Sequence, residues 1–244
     1  MKIKYILILA TTLLLANACS GENDTPPADT LGNGLIIKAL LDGDGRDSSG
    51  NGNGGDIIGD VPTTGDRNGL ASSAMSFEES KGYIDFGNIK ELEIGYEDAI
   101  TASVWIKHDD AQLEWDTILN QFFRAAGPSA EGRFYLGINS YNKKASWRVF
   151  GNILESAIAI PDGEWTHIVV DYKDKKMSMY INGYPSSKLD LDDSQLGLGS
   201  GAPFQIGRMS MATDTTSGFN GSIDDVYIYD RILDQMEIDH LSQR

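Results

Sequence analysis

Apolar and polar residues alternate with a period of two along most of the chain from Leu35 onward. Such alternation puts one row of side chains on a core face and the other row on the opposite face of a sheet, so it predicts β-strands. The clearest alternating segments are residues 102–107, 134–139, 167–172 and 176–181. Shorter runs predict further strands at Leu35–Leu41, Ala74–Phe77, Tyr83–Phe86, Thr117–Phe122, Ser146–Phe150, Phe204–Ile206 and Ile223–Tyr229.

Turn and helix signals complete this pattern. Asp162-Gly163 and Asn182-Gly183 predict hairpin turns, the second of them in a short hairpin because its flanks alternate poorly. One helix is predicted over Asp234–Ser242, with Asp234 as N-cap and Glu237 completing a capping box. About a dozen strands without βαβ alternation predict an all-β jelly-roll sandwich of two antiparallel sheets with a short C-terminal helix.

The N-terminal segment has the pattern of an export signal. Lys2 and Lys4 precede an apolar run, Tyr5–Ala16, which is shorter than the roughly 20 residues that a membrane-spanning helix needs. The stretch from Leu15 to Cys19, Leu-Ala-Asn-Ala-Cys, resembles the lipobox of bacterial lipoproteins. This resemblance implies that residues 1–18 are a signal peptide and that Cys19 carries the lipid. The alternative is an ordinary signal peptide with a chance cysteine.

The residues after Cys19 bear on location. Residues 19–30 contain acidic residues and two prolines, and we interpret them as a linker to a single domain over residues 31–244. The tract Ser20–Asp24 is similar to the start of surface-exposed lipoproteins of the Bacteroidota. The resemblance implies an outer-membrane lipoprotein at the cell surface, with a periplasm-facing orientation as the alternative.

Charge and cysteine content exclude several classes of partner and architecture. The chain has 20 Lys and Arg against 36 Asp and Glu, a formal charge of −16, which becomes −18 once Lys2 and Lys4 are removed. An acidic protein of this kind is a poor partner for nucleic acid or for anionic lipid surfaces. Because Cys19 is the only cysteine, a disulfide framework is excluded within the chain.

Several short motifs follow one another in a recognisable order. They are Leu41–Gly52, Ala74–Phe77 followed by Tyr83–Phe86, Thr101–Lys107, Asp162–Val170 leading to Met179–Gly183, and Phe219–Leu233 before the predicted helix. This order and spacing resemble the laminin-G-like group of the concanavalin A-like lectin/glucanase superfamily. The resemblance implies a jelly roll of two curved antiparallel sheets. It does not imply one activity, because a single fold can host many functions.

An oxygen-rich loop after the first strand is a candidate calcium site. It contains Asp42, Asp44, Asp47, Asn51, Asn53 and Asp56 among glycines. Carboxylate and carbonyl oxygens are the ligands that Ca²⁺ prefers. The loop is not an EF-hand, because the twelfth position counted from Asp42 is Asn53 and not glutamate.

The family resemblance implies one structural Ca²⁺ between the exit of the first strand and the last strand. The candidate ligands are the side chains or carbonyls of Asp42, Gly45, Asp47, Ser48, Asp224 and Asp225. Alternation puts Asp224 on the inward face with Val226 and Ile228, where a carboxylate needs a cation or strong donors. The alternative is that these residues stabilise turns, with Asp224 accepting backbone N–H groups.

A glycan-binding surface is the second candidate site. Its candidate residues are Trp115, Arg124, Tyr141, Trp147 and Arg148, which combine aromatic planes with planar polar groups. Trp105 and Trp165 recur in the family pattern and are interpreted as packing residues. For Trp115 and Trp147, core packing and ligand contact remain equal alternatives.

Catalysis has little support in the sequence. Retaining glucanases of the resembled superfamily carry a Glu-x-Asp-x-Glu run, which gives two carboxylates about 5 Å apart, and the chain lacks such a run. His108, His167 and His240 are not spaced as metal ligands, and His167 is interpreted as structural. We therefore expect no enzymatic activity.

Together these features predict a lipid-anchored carbohydrate-binding protein whose partner is a polysaccharide or oligosaccharide. A protein-binding or adhesion module of laminin-G-like type is the alternative, with a surface protein as partner. A divergent glycoside hydrolase is less favoured. The expected contact with the membrane is through the lipid anchor alone.

Overall fold

The computed structural model describes residues 30–78, 81–109, 115–124, 130–191, 202–211 and 218–244. Cys19, the signal segment and all but the last residue of the linker lie outside these ranges, so their assignments remain predictions.

Strands dominate the described residues, as the alternation predicts. In chain order they are β1 Leu35–Ala39, β2 Asp56–Gly59, β3 Thr63–Thr64, β4 Ala74–Glu78, β5 Gly82–Asp85, β6 Ile100–His108, β7 Trp115–Arg124, β8 Ala130–Asn139, β9 Lys144–Val149, β10 Asn152–Ala159, β11 Trp165–Lys173, β12 Lys176–Ile181, β13 Tyr184–Asp190, β14 Gln205–Ile206, β15 Ser210–Met211 and β16 Asn220–Tyr229. The helix α1 spans Gln235–Gln243, and single 3-10 turns occur at Thr30–Gly32 and Lys90–Leu92.

The strands form two sheets that pack face to face. The first sheet has the order β13-β12-β11-β6-β16-β4-β3, and β1 pairs with the second half of β16. The second sheet has the order β10-β9-β8-β7-β14-β5-β2, and β15 adds to β7. Nearly all pairs are antiparallel, the β7–β15 pair being parallel. The predicted all-β sandwich of antiparallel sheets with a short C-terminal helix is therefore confirmed.

The core lies between the two sheets. A continuous cross-strand row of the second sheet supplies one side of the core, with Ile84, Ile206, Leu119, Leu136 and Trp147 as successive neighbours. All five are fully buried. The first sheet contributes the alternating residues of β6, β11 and β16 that face this row. Burial of this contiguous apolar surface is the main stabilising contribution to the fold.

Three polar contacts involve buried side chains of the interior. The Trp147 indole N–H, on the second sheet, donates to the backbone carbonyl of Asp171 on the first sheet at 3.1 Å. His108 Nε2 lies 2.6 Å from Asp116 Oδ2, and both side chains are fully buried. His108 Nδ1 contacts Asp162 at 2.9 Å. These contacts specify how the two sheets align, because a buried polar group without its partner is costly.

The helix matches the sequence prediction closely. Asp234 Oδ1 accepts the Glu237 backbone N–H at 2.9 Å, and the Glu237 carboxylate accepts the Asp234 N–H at 2.9 Å. This reciprocal pair is the predicted capping box. The helix buries Ile238 and Leu241 against the outer face of the first sheet, beside Tyr227 and Tyr229. One sheet thus has a covered outer face.

The two predicted hairpin turns turned out differently. Asn182-Gly183, with positive φ at both residues, joins the antiparallel strands β12 and β13, so this hairpin turn is confirmed. The two strands pair along most of their length, so the hairpin is longer than the alternation of its flanks predicted. Asp162-Gly163 connects β10 of the second sheet to β11 of the first and forms no hairpin. A dipeptide that favours positive φ specifies a reversal of the chain, but not whether the flanking strands pair with each other.

A bulge in β16 overturns the predicted orientation of Asp224. The pairing of β16 with β6 shifts register between Asp224 and Tyr227, and Asp225 has a positive φ. Asp224 pairs with Trp105 and therefore lies on the outer face of the first sheet, not on the core face with Val226. The extra residue of a bulge inverts simple alternation, which is why the sequence pattern gave the wrong face.

Candidate functional site

The turn between β8 and β9 carries an unusually exposed aromatic side chain. Tyr141 is 82% exposed there. Its backbone N–H donates to Asn139 Oδ1 at 3.0 Å, and the Lys144 N–H donates to Asn142 Oδ1 at 3.0 Å. Two asparagine side chains thus hold the turn from both sides of Tyr141, so the ring projects from a defined backbone.

The same asparagines also bind a carboxylate of the neighbouring strand. Asn139 Nδ2 donates to Glu155 Oε1 at 3.3 Å, and Asn142 Nδ2 donates to both Glu155 oxygens at 3.2 and 3.1 Å. We call Asn139, Tyr141, Asn142 and Glu155 the Tyr141 corner. Its planar amide and carboxylate groups beside an exposed ring offer both hydrogen-bonding and stacking surfaces to a ligand.

A polar row crosses the outer face of the second sheet. Its members, successive cross-strand neighbours, are Asp56, Asp85, Gln205, Asn120, Tyr135 and Arg148. The centre of the row is buried and its ends are accessible. Tyr135 lies over Gly137, where any Cβ would collide with the tyrosine hydroxyl. The glycine thus lets an aromatic ring lie flat on the sheet.

Two arginines are stacked on aromatic rings of this outer face. The Arg148 guanidinium lies 5.6 Å from the Phe122 ring centroid, and that of Arg208 lies 4.9 Å from the Tyr83 centroid. Stacking limits the motion of a guanidinium while leaving its N–H edge able to donate. The outer face therefore has ordered donors as well as acceptors.

The structure brings only some of the predicted glycan residues together. Trp115 is paired with Asn139, next to the Tyr141 corner, whereas Arg124 is paired with Ala130 at the other end of β7. The ends of a ten-residue strand lie roughly 30 Å apart. The side chains of Trp115 and Arg124 lie outside the description, so their roles remain predictions.

Trp147 requires a correction. Its side chain is fully buried and packs against Phe134 at a distance of 5.6 Å between ring centroids. Its indole N–H donates a hydrogen bond to the Asp171 carbonyl. A ring with no exposed face cannot stack on a sugar. The core alternative left open by the sequence is therefore the correct one for Trp147, while Arg148, next to it, faces outward.

Three residues of the Tyr141 corner were missed by the sequence reasoning: Asn139, Asn142 and Glu155. The signal for the first two was the segment Asn-Ser-Tyr-Asn, residues 139–142, because Asn on either side of an aromatic residue is typical of a turn stabilised by side chains. Glu155 had no local signal, since its contact depends on the pairing of β9 with β10.

An arginine takes part in the contacts of the candidate calcium residues. Arg67 Nη1 donates to Asp224 at 2.6 Å and Nη2 to Asp225 at 2.7 Å. Its guanidinium also lies 4.8 Å from the Trp105 ring centroid. Burial first, and then the Asp225 charge, raise the pKa of Asp224, whereas Arg67 acts to lower it. Arg67 is thus the cation that these two carboxylates contact.

Asp47 is engaged by its own loop. Its carboxylate accepts the backbone N–H groups of Lys38, Ser49 and Asn53 and the Ser49 hydroxyl, all within 3.0 Å. Partial burial acts to raise its pKa, but these donors hold the pKa of Asp47 below its ordinary value. This is the turn-stabilising alternative considered from the sequence.

Gly45 and Ser48 of the candidate ligand set also have structural roles. Gly45 gives its carbonyl to the Gly55 N–H at 2.7 Å, and Ser48 gives its N–H to the Lys38 carbonyl at 2.7 Å. Asp42 is exposed, and slight burial together with Asp225, Asp44 and Asp66 raises its pKa. Within the described ranges no group of three or more His, Cys, Asp or Glu side chains is placed to hold a metal ion. As arranged, these residues do not fit a Ca²⁺ site.

His167 lies on the covered face of the first sheet. It is buried, contacts Ser103 Oγ at 2.8 Å and stacks near Trp105 at 5.1 Å between ring centroids. Burial, with a contribution from Arg67, lowers the pKa of His167 to about 3. The ring is therefore neutral at physiological pH. A buried neutral histidine without access to solvent agrees with the structural role predicted for it.

These observations define a class: a two-sheet jelly roll of the concanavalin A-like type. The family profile Laminin_G_3, described as concanavalin A-like lectin/glucanases superfamily, matches residues 78–239. The chain belongs to this family. A search of curated protein sequences found no significant match.

Solved structures with a similar fold include domain 4 of AbnA, a GH43 extracellular arabinanase from Geobacillus stearothermophilus, in complex with arabinotriose. The TM-score is 0.62 at 19% identity, with 86% of this chain and 98% of that chain covered. Botulinum neurotoxin type C, whose cell entry depends on two ganglioside molecules, gives 0.62 at 16% identity, covering 87% and 51%. The binding domain of botulinum neurotoxin DC in complex with rat synaptotagmin II gives 0.62 at 14%, covering 88% and 52%. The chain thus spans about half the length of the toxin chains. At these identities the similarity concerns the fold.

Proposed function

We propose that this domain binds carbohydrate, and that the Tyr141 corner is its principal contact. The observation that carries the proposal is an aromatic side chain, 82% exposed, on a turn braced by Asn139 and Asn142. A ring already held in position loses little conformational entropy when it packs against the apolar face of a sugar. The Asn and Glu155 groups beside it can exchange hydrogen bonds with sugar hydroxyls.

Relatives of the fold support a binding role. The arabinanase domain is in complex with arabinotriose, and cell entry of the type C neurotoxin depends on interaction with two ganglioside molecules. Because the similarity is one of fold, it raises the plausibility of a glycan ligand without identifying the sugar. The ligand class that we propose is a polysaccharide or oligosaccharide.

The proposal includes a lipid anchor at Cys19 and a position at the outer membrane, facing the cell surface. Its support is the lipobox-like stretch that ends at the one cysteine of the chain. Multiple acyl chains would give firm attachment. In the described residues no helix is long and apolar enough to cross a bilayer.

We propose binding without catalysis. Asp56 and Asp85 are cross-strand partners on the outer face, so their Cβ atoms lie about 5 Å apart. A retaining glycosidase needs one such carboxyl to give up a proton. Asp85 instead accepts the Gly87 N–H at 2.8 Å and the Gln205 amide at 3.0 Å, while Asp56 is exposed to water. Release of reducing sugar from a bound glycan, lost in Asp85→Asn, would contradict this part.

A protein partner is the second candidate. It is favoured by β2 at the edge of the second sheet, where Ile57 and Ile58 are 38% and 42% exposed and β5 is the strand's only neighbour among the described strands. Such an edge can pair with a strand of another protein. The neurotoxin DC binding domain in complex with synaptotagmin has a similar fold.

A glycan array tests the choice between the two candidates. The purified protein is applied with Ca²⁺ and with chelator, and the same preparation is used for pull-down from a cell-surface extract. We expect binding to a related set of glycans. If the protein binds no glycan on the array and a specific protein is recovered in the pull-down, the glycan proposal is overturned and the edge-strand alternative is favoured.

A further inference from the structure

The end of the domain where the family resemblance implies calcium has an arginine built into it. The loop that carries Arg67 is self-supporting: Asp66 Oδ1 accepts the backbone N–H groups of Asn68 and Leu70 at 2.9 and 2.7 Å. The Asp66 N–H donates to the Leu70 carbonyl at 3.0 Å. The loop thus presents Arg67 from a closed turn whose shape does not depend on the partners of the guanidinium.

All three nitrogens of the Arg67 guanidinium have oxygen partners. Nη1 and Nη2 bind Asp224 and Asp225, and Nε donates to the Arg244 carbonyl at 2.5 Å. The Trp105 ring covers one face of the plane. The Arg67 side chain is 9% exposed and that of Asp224 is 4% exposed. A buried arginine that bridges two carboxylates and stacks on an aromatic ring is a fixed structural cation.

The arrangement joins separate parts of the fold. The bulge of β16 supplies both carboxylates, β6 supplies Trp105, and the last residue of the described chain supplies the carbonyl. Trp105 in turn donates its indole N–H to the Leu241 carbonyl of α1 at 3.2 Å. A divalent cation bound by these oxygens would have to displace the guanidinium, because the same two carboxylates would be its strongest ligands.

We propose that Arg67 is the resident cation at this end of the domain, in place of Ca²⁺, and that the domain is therefore stable without metal. The functional consequence is a binding module whose folding does not respond to the calcium concentration outside the cell. Removing one member of a buried ion pair leaves the other charges uncompensated, so loss of Arg67 should be far more damaging than loss of an exposed arginine.

The test compares melting temperatures of the purified protein in excess EDTA and in millimolar CaCl₂. The wild-type protein should melt at the same temperature in both. Arg67→Met, which keeps an unbranched apolar chain against Trp105, should melt several degrees lower than wild type in EDTA. The matched control is Arg46→Met, because Arg46 pairs with Asp44 at the surface with 82% of its side chain exposed. That control should melt like the wild-type protein.

Two outcomes would overturn the proposal. One is a calcium-dependent rise in the melting temperature of the wild-type protein, and the other is an Arg67→Met variant as stable as Arg46→Met. If Arg67→Met fails to fold, terbium luminescence sensitised by tryptophan decides the question with the wild-type protein alone. Absence of sensitised emission supports a site held by arginine, whereas emission that calcium displaces contradicts it.

Discussion

At the scale of single residues, exposure separates the tyrosine that we assign to ligand binding from the tryptophan that we assign to the core. The sequence offered Trp147 and Tyr141 as equivalent aromatic candidates, because composition says nothing about which face of a strand is covered. The pairing of β9 with β8 places Trp147 in the core row, and the turn after β8 leaves Tyr141 in solvent. Aromatic residues become distinguishable only once register is known.

Replacement of Trp147 by Phe should lower stability and leave ligand binding intact. The variant loses the hydrogen bond to the Asp171 carbonyl and leaves a small cavity, which together cost about 1–3 kcal/mol. Urea unfolding measures the change in the free energy of unfolding. A Trp147→Phe protein that is as stable as wild type, yet no longer binds glycan, would show that this ring belongs to the binding site.

His167 predicts a specific pH dependence of stability. Burial and Arg67 lower its pKa to about 3 in the folded protein, whereas an unfolded histidine titrates near 6.5. Between these values the unfolded chain binds a proton that the folded protein does not. His167 should therefore contribute a loss of stability of up to about 1.4 kcal/mol per pH unit as pH drops below about 6.5, whereas the raised pKa of Asp224 contributes in the opposite direction.

His167→Gln removes this contribution, so the slope of stability against pH between pH 6.5 and pH 4 should be lower than in wild type by up to about 1.4 kcal/mol per pH unit. Chemical denaturation at a series of pH values gives the slopes. His240→Gln is the comparison, because burial and then Arg244 lower the pKa of half-buried His240 as well, but less than that of His167, so its loss should change the slope less. Equal slopes for wild type and His167→Gln would contradict the buried neutral state of His167.

At the scale of elements, local signals predicted the helix correctly and the pairing of strands less well. Asp234 and Glu237 are three residues apart and act within one turn, so the sequence contains the whole capping interaction. The bulge at Asp224–Asp225 and the crossing at Asp162-Gly163 depend on which strands become neighbours. The contact of Arg67 with Asp224 could not be anticipated for the same reason, since Arg67 is 157 residues from Asp224 in the chain.

Loss of the helix cap should have a measurable cost. Asp234→Ala removes the acceptor for the Glu237 N–H and should destabilise the protein by about 1 kcal/mol. Thermal or urea unfolding reports the difference. Asp190→Ala, an exposed acidic residue of the edge strand β13, serves as the control and should be nearly neutral. If the two variants lose the same stability, the capping box is not a significant contribution to the docking of α1.

At the scale of the whole molecule, the outer faces of the two sheets carry different features. The helix α1 closes the outer face of the first sheet, whereas the second sheet carries the Tyr141 corner and the stacked arginines at its outer face. Which of the two sheets α1 would cover was not predictable from the strand patterns, because both sheets have polar rows on their outer faces. The fold class was predictable, because the family motifs extend over nearly the whole domain.

The lipid anchor is a prediction for the intact protein in its membrane. Cys19→Ser should abolish incorporation of labelled fatty acid and release the protein from the membrane fraction, because no other cysteine can accept the thioether-linked lipid. Metabolic labelling followed by fractionation measures both effects. A Cys19→Ser protein that still incorporates label would contradict the lipobox interpretation.

Binding of carbohydrate at the Tyr141 corner is the central claim, and calorimetric titration with the strongest glycan from the array tests it most directly. The comparison is between wild type, Tyr141→Ala and Tyr184→Ala, because Tyr184 is also an exposed tyrosine beside a turn, 77% accessible, but belongs to the first sheet. We predict that Tyr141→Ala weakens binding at least about tenfold, roughly 1.4 kcal/mol, and that Tyr184→Ala binds like wild type. A Tyr141→Ala protein with wild-type affinity would contradict the account.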